Sequence, residues 1–185
     1  TALLPARDEI FSQYDLSFPV QQNVTVTCGA HIFRAITGET AKAAAVYLPG
    51  RDEIVIQRPS ALYKKQILDQ VVRHELLHYA IAVSRQKAGI SEERSFGLFW
   101  LEESFCTAAY PVGLYDAAKG KRKNETLGDW KKIKNYLEQF LRSENEREMA
   151  DAYSSALSLG SDLISKHGKR KVFAVVVGSD KFPFE

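Results

Sequence analysis

The sequence VVRHELLHYA, residues 71–80, places two histidines and a glutamate inside an apolar run. If this stretch is an α-helix, His74 and His78 lie one turn apart on the same face, so both imidazoles can reach one ion. Glu75 then lies beside that face, where a carboxylate can take a proton from a water at a bound zinc. The alternative is a pair of core histidines whose ring nitrogens are satisfied by other protein groups.

The composition indicates a folded chain. Of the 185 residues, 45% are hydrophobic and 11% are aromatic, which is enough to bury a core and excludes a disordered chain. The formal net charge of +2 is too small to indicate nucleic acid as the main partner. No apolar run approaches the roughly 20 residues that span a bilayer. We therefore expect one domain, residues 1–185, with no nucleic-acid partner and no membrane insertion.

The pattern of the first half predicts short strands followed by a long helix. NVTVTC (23–28) alternates like a strand, and HIFRAIT (31–37) reads as a short helix that ends at Gly38. The LPGRD turn predicts a hairpin over 42–58. After Pro59, the helical pattern starts at Ser60 and runs to about Arg85, and it is apolar nearly all round.

The second half reads as mainly helical. Polar residues 86–95 predict a loop, and FGLFWLEESFCTAAY (96–110) predicts a helix that ends before Pro111. Two amphipathic helices are expected next, one N-capped by Asp129 and one over 146–167. Their predicted inward residues are Trp130, Ile133, Leu137, Phe140, Met149, Tyr153, Leu157 and Ile164. VFAVVV (172–177) fits either a strand or a short helix, so the predicted fold class is α+β.

A catalytic zinc needs three protein ligands and one open position for water. Ile81 and Ser84 stand where a metzincin would need Gly and His, which excludes that class. His31 and His167 remain possible ligands, but we expect a surface or helix-end residue at each position.

Two adjacent acids are stronger candidates for the third ligand. Glu102 and Glu103 lie in the middle of an apolar helix, where a carboxylate needs a buried partner. At 100° per residue only one of them can share the buried face, and the spacing alone does not choose between them.

HELLH (74–78) followed by WLEESFC (100–106) closely resembles the gluzincin metallopeptidases. In that family a second helix carries a Trp-Leu-x-Glu-Gly-x-Ala type motif whose Glu is the third zinc ligand. Ser104 and Cys106 replace the usual Gly and Ala. The resemblance implies a zincin-like fold. A small sheet would pack on the active-site helix in residues 1–85, and a helical subdomain would occupy residues 86–185.

By this resemblance the chain is expected to be a zinc metallopeptidase that acts on a peptide or protein. His74, His78 and Glu103 would bind one zinc ion per chain, and Glu75 would be the general base. The resemblance also points to Tyr153 as a donor to the oxyanion. An ordinary amphipathic core tyrosine is the alternative reading of that residue.

The substrate class follows from the strand before the HELLH helix. The large aminopeptidases of this clan carry an acidic motif there, whereas AKAAAVYL (41–48) contains no acid. An endopeptidase is therefore favoured, with a bound peptide pairing along residues 44–47 as an added strand.

Several alternatives stay open. The chain can instead be a catalytically silent or self-blocked gluzincin-like module, with residues 1–18 or 178–185 as a plug. The basic stretch KGKRKNE (119–125) is either a docking site or a solvated loop. For Cys28 and Cys106 we expect two buried thiols, although a single disulfide is possible. The missing initiator Met and the family habit favour a secreted or periplasmic protein.

Overall fold

The computed structural model describes residues 3–17, 23–39, 43–112, 130–141, 143 and 145–180. The chain forms two compact units, Thr1–Ser84 and Arg85–Glu185. Both contain helices, and the described strands all belong to the first, so the architecture is α+β and mostly helical, as predicted. Within these described segments, no helix is long and apolar enough to cross a membrane.

The first unit contains a small sheet and most of the HELLH helix. Its elements are α1 (Leu3–Gln13), β1 (Asn23–Thr27), α2 (Ala30–Thr37), β2 (Ala45–Leu48), β3 (Glu53–Gln57), α3 (Pro59–Lys64) and α4 (Leu68–Lys87). A 3-10 turn, Pro49–Arg51, joins β2 to β3. The boundary between the units falls inside α4, whose last residues belong to the second unit.

The sheet has the strand order β1-β3-β2. β1 pairs with β3 in parallel, and β2 pairs with β3 in antiparallel register with Tyr47 opposite Ile54. All five residues of the central strand β3 are buried, as expected for a strand covered on both faces. The predicted first strand and hairpin are thus confirmed over their described residues.

Glycine ends α2 where the sequence predicts it. Gly38 adopts a left-handed conformation (φ 72°), and its N–H donates to the Arg34 carbonyl. Because glycine has no Cβ, it takes this conformation without steric cost.

The single helix predicted from Ser60 to about Arg85 is wrong, because the structure has two helices there. Gln66 takes a left-handed conformation (φ 58°) between α3 and α4. Its N–H donates to the Tyr63 carbonyl, and the Ile67 N–H donates to the Leu62 carbonyl. These two bonds form a Schellman motif with a non-glycine residue at its left-handed position, which the apolar pattern could not reveal.

All the helices and strands described in the second unit are helices. Beyond the end of α4 its elements are α5 (Glu92–Gly97), α6 (Phe99–Ala109), α7 (Trp130–Phe140), α8 (Glu146–His167) and α9 (Lys169–Val177). The loop predicted over 86–95 is partly wrong, because α5 begins at Glu92. The Ser91 hydroxyl caps it by accepting a hydrogen bond from the Arg94 N–H.

The helix pair α6–α8 is the most extensive contact within the second unit. At Gly160 the two backbones approach so closely that a Cβ there would lie 2.0 Å from the Ser104 carbonyl oxygen. The buried positions of α8 are Ala152, Ala156, Leu159, Gly160 and Leu163. The predicted inward residues Met149, Tyr153, Leu157 and Ile164 are half-buried, so that prediction is only partly confirmed. Small residues decide the contact face because they let the backbones approach.

The last helix resolves the ambiguity over residues 172–177. This valine-rich segment lies in α9, and all but one of its residues are buried. Burial in the second unit outweighs the strand preference of valine.

The predicted α7 is confirmed, with Ile133 and Leu137 buried. The Asp129 cap and residues 119–125 lie outside the described residues.

Cys28 is exposed and Cys106 is buried, and both are thiols. The expectation of two buried thiols is therefore wrong for Cys28, which directly follows β1. The N-terminal segment considered as a plug forms α1, in which Ala6, Ile10 and Phe11 are fully buried. The Phe11 ring lies 5.8 Å from the Tyr79 ring, so α1 packs into the core of the first unit.

Candidate metal centre

The two histidines of α4 point their ring nitrogens at each other. The His74 and His78 Nε2 atoms lie 3.1 Å apart, and the ring centroids lie 4.9 Å apart. Both side chains are buried. Two nitrogens on one tetrahedral zinc, each about 2.0–2.1 Å from the metal, are separated by about 3.3 Å. The pair therefore has a spacing that suits a shared metal ion, and it equally suits one hydrogen bond between neutral imidazoles.

Glu75 contacts the edge strand of the sheet. The Tyr47 backbone N–H donates to Glu75 Oε2 over 2.8 Å, and the carboxylate is buried. Since β2 pairs with β3 along its other side, this N–H faces away from the sheet. Glu75 thus has a structural role. The sequence did not predict it, because the partner is a backbone N–H 28 residues away.

The structure distinguishes the two adjacent glutamates of α6. Arg85 Nη1 donates to Glu102 Oε2 in an ion pair, and Glu102 is 12% exposed. Glu103 is 4% exposed and accepts a hydrogen bond from the Thr107 hydroxyl over 3.4 Å. The sequence predicts a buried partner for at least one of the two glutamates. Arg85 is that partner for Glu102.

Three titratable side chains offer metal donors close together: His74, His78 and Glu103. Their donor atoms all lie within 4.8 Å of one another, and this is the one such group within the described ranges. Zinc takes two imidazole nitrogens and a carboxylate oxygen in catalytic sites. Divalent iron takes the same donor set. The group can hold a metal ion, and the donor set alone does not choose between the two metals.

The remaining predicted candidates lie elsewhere. His31 and His167 are exposed, as expected of surface or helix-end residues, and neither belongs to the group of donors. Tyr153 lies on α8 and is half-buried. Its role as an oxyanion donor stays a prediction.

Arg85 is the residue that sequence reasoning most plainly missed. It follows His78 by seven positions and His74 by eleven, which places all three on one face of α4. An arginine at that spacing in an apolar helix, followed by two adjacent glutamates in a second apolar helix, is the signal that the sequence offers. The pairing itself depends on tertiary structure.

Two titratable residues next to the histidines have shifted pKa values. The hydrogen bond from Arg73 to Glu9 raises the pKa of the Arg73 guanidinium, and Asp69 adds to this effect. Burial raises the pKa of Tyr79, and the negative charge of Asp52 raises it further. Arg73 therefore remains a cation and Tyr79 remains neutral at physiological pH.

No protein-family model, curated protein or solved structure matches the chain. The gluzincin resemblance consequently rests on the two helix motifs, residues 74–78 and 100–106. The proposed function therefore depends on the chemistry of the residues in these two motifs.

Proposed function

We propose that the chain is a zinc metallopeptidase of the gluzincin type, and an endopeptidase. The observation that carries the proposal is the group formed by His74, His78 and Glu103, whose donor atoms lie within 4.8 Å of one another. Its donor set fits a catalytic zinc, which takes three protein ligands and a water. Bound zinc would supply Lewis acidity toward the water and the scissile carbonyl.

The chain's own residues would do the proton chemistry. Glu75 is assigned the general-base role: it takes a proton from the attacking water and passes it to the leaving amine. The Tyr47 N–H donates to Oε2 of this carboxylate, which restricts the rotamers of Glu75. Tyr153 is proposed as the further donor to the oxyanion.

A non-catalytic binding module is the second candidate function. The bond from the Tyr47 N–H to Glu75 favours it, because this glutamate then has a reason to be present without catalysis. In that reading the donor group would hold a structural metal or none. Secretion or periplasmic residence is proposed together with the peptidase.

Metal content tests the proposal directly. We expect about one zinc per purified chain by elemental mass spectrometry, and loss of that zinc in His78→Ala and in Glu103→Ala. His31→Ala is the matched control, since this exposed histidine lies outside the donor group and its removal should leave the zinc in place. Iron instead of zinc would contradict the peptidase assignment. If neither the wild type nor any variant binds metal after zinc is supplied, the non-catalytic binding module is the function that remains.

A further inference from the structure

An arginine-centred network fixes the second acid of α6. Arg85 is buried and donates to Glu102 through Nη1. Its Nη2 and Nε also donate to the Val176 carbonyl over 2.8 and 3.3 Å. One guanidinium therefore joins the end of α4, the first half of α6 and the last turn of α9. All three groups belong to the second unit.

This network has more bonds than helix capping requires. The carbonyls at the end of α9 already have a second arginine, because Arg94 Nη2 donates to the Gly178 carbonyl over 3.1 Å. Cations at a helix C-terminus are favourable, and either arginine supplies one. What distinguishes Arg85 from Arg94 is the ion pair with Glu102, the immediate neighbour of Glu103.

Two adjacent carboxylates create a problem for a metal site. Glu102 and Glu103 differ by 100° around α6, and an uncompensated Glu102 would compete with its neighbour for a cation. A buried carboxylate also needs a positive partner. The planar fork of arginine can satisfy a carboxylate and a carbonyl together, which a lysine ammonium cannot do in a fixed plane.

We propose that Arg85 is a positioning residue that holds Glu102 in an ion pair and so reserves Glu103 for the metal. This inference rests on the proposed metal site and adds the residue that sets which carboxylate serves it. Arg85 acts through Glu102 and α6, and it does not itself touch the ion.

Zinc affinity tests the inference, measured by competition with a chromophoric chelator. Arg85→Met should weaken zinc binding about 10- to 100-fold, the usual effect of losing a partner that orients a ligand. Arg94→Met removes the other α9 contact and should leave the affinity within about twofold, because a capping contact does not orient the ligand. Cobalt substitution supplies a second readout, since loss of ordered coordination should change the visible spectrum of the Arg85→Met complex only.

Two variants of Glu102 separate positioning from stability. Arg85→Met with Glu102→Met removes both charges of the ion pair, so thermal stability and zinc affinity should both return close to those of the wild type, because no second carboxylate then competes with Glu103. Glu102→Met alone leaves Arg85 buried without its carboxylate, so it should lose stability and still keep zinc affinity. The double variant carries the test if Arg85→Met alone does not fold, because weak affinity in it would contradict competition by Glu102.

Each outcome decides between the two proposals. Unchanged zinc affinity in Arg85→Met, weak affinity in the double variant after stability has returned, or loss of affinity in Glu102→Met overturns the role of Arg85 alone. A wild-type chain that binds no zinc overturns the metal site and this inference with it.

Discussion

Glu75 has one observed contact and one proposed role, and substitutions can separate the two. Its carboxylate accepts a hydrogen bond from the Tyr47 N–H, and the proposed mechanism uses it as a base. Glutamine keeps an oxygen acceptor and loses the basicity, whereas alanine loses both.

Glu75→Gln should therefore retain zinc and thermal stability while peptide cleavage falls about 10²- to 10⁴-fold. Cleavage is measured with a fluorogenic peptide library, and metal content is measured on the same preparation. Glu75→Ala serves as the comparison, because removing the acceptor of a buried N–H costs about 1–3 kcal/mol of unfolding free energy. Cleavage by Glu75→Gln at the wild-type rate would remove this residue from catalysis.

Tyr79 links folding to alkaline pH. Burial and the charge of Asp52 raise its pKa above the ordinary value of 10.0, so the folded chain keeps a proton that the unfolded chain releases. Because folding raises the pKa of Tyr79, the contribution of this residue to stability is complete below about pH 10 and is lost as pH rises above it.

We expect the unfolding free energy to fall more between pH 9 and pH 11 in the wild type than in Tyr79→Phe. Urea unfolding at several pH values measures the difference. Tyr63→Phe is the control, because Tyr63 is 74% exposed and its replacement should leave the wild-type slope unchanged. Equal slopes for Tyr79→Phe and the wild type would exclude Tyr79 as the cause.

At the scale of elements, the pair α6–α8 depends on one glycine. Glycine is unfavourable within a helix by about 0.5–1 kcal/mol relative to alanine, yet Gly160 lies within α8. The Ser104 carbonyl and the Ala108 Cβ occupy the space that a side chain would need. Close approach of the backbones is therefore the reason for glycine at this position.

Gly160→Ala should lower the unfolding free energy by about 1–3 kcal/mol or more, because the added carbon would force the helices apart. Gly97→Ala is the matched control, since a Cβ at Gly97 in α5 meets nothing within 4 Å. Chemical denaturation measures both variants. A Gly160→Ala chain as stable as the wild type would show that α6 and α8 can separate without cost.

Two helical segments show which structural features a local sequence pattern does not predict. The apolar run from Ile67 onward resembles a continuation of the helix that starts at Pro59, because hydrophobic periodicity does not record a left-handed residue. Gln66 interrupts it through two backbone hydrogen bonds that no side-chain pattern encodes. Likewise, the inward face of α8 follows from Ala152, Ala156 and Gly160, small residues that a search for large apolar side chains passes over.

At the scale of the whole molecule, metal binding should be visible as stability. A ligand that binds only the folded chain raises its stability by about 2.7 kcal/mol at a hundred times its dissociation constant. The proposed zinc site therefore predicts a rise in Tm when zinc is added to the metal-free chain and a fall when a chelator is added.

Differential scanning calorimetry with and without zinc measures this effect. His78→Ala should show almost no response, because it lacks one of the three proposed ligands. An equal rise in Tm for the wild type and His78→Ala would mean that zinc acts at other sites. No rise in either would contradict tight binding to the folded chain.

The sequence by itself determined the periodic elements and the chemical identity of the candidate site. The strand at 23–27, the Gly38 cap, the hairpin, α7 and the bounds of α8 follow from alternation, helical period and turn residues, which act over a few positions. The spacing of His74 and His78 likewise determines that both rings share one face of a helix.

Only the tertiary structure decided the partners of the buried charges. Glu102 pairs with Arg85, which lies 17 positions earlier in the chain, and the bond from Tyr47 to Glu75 spans 28 positions. Whether VFAVVV becomes a strand or a helix also depended on what surrounds it, and it forms most of α9. Local periodicity specifies which face of an element is apolar. Pairing of buried charges and close approach of backbones arise only when elements distant in sequence meet.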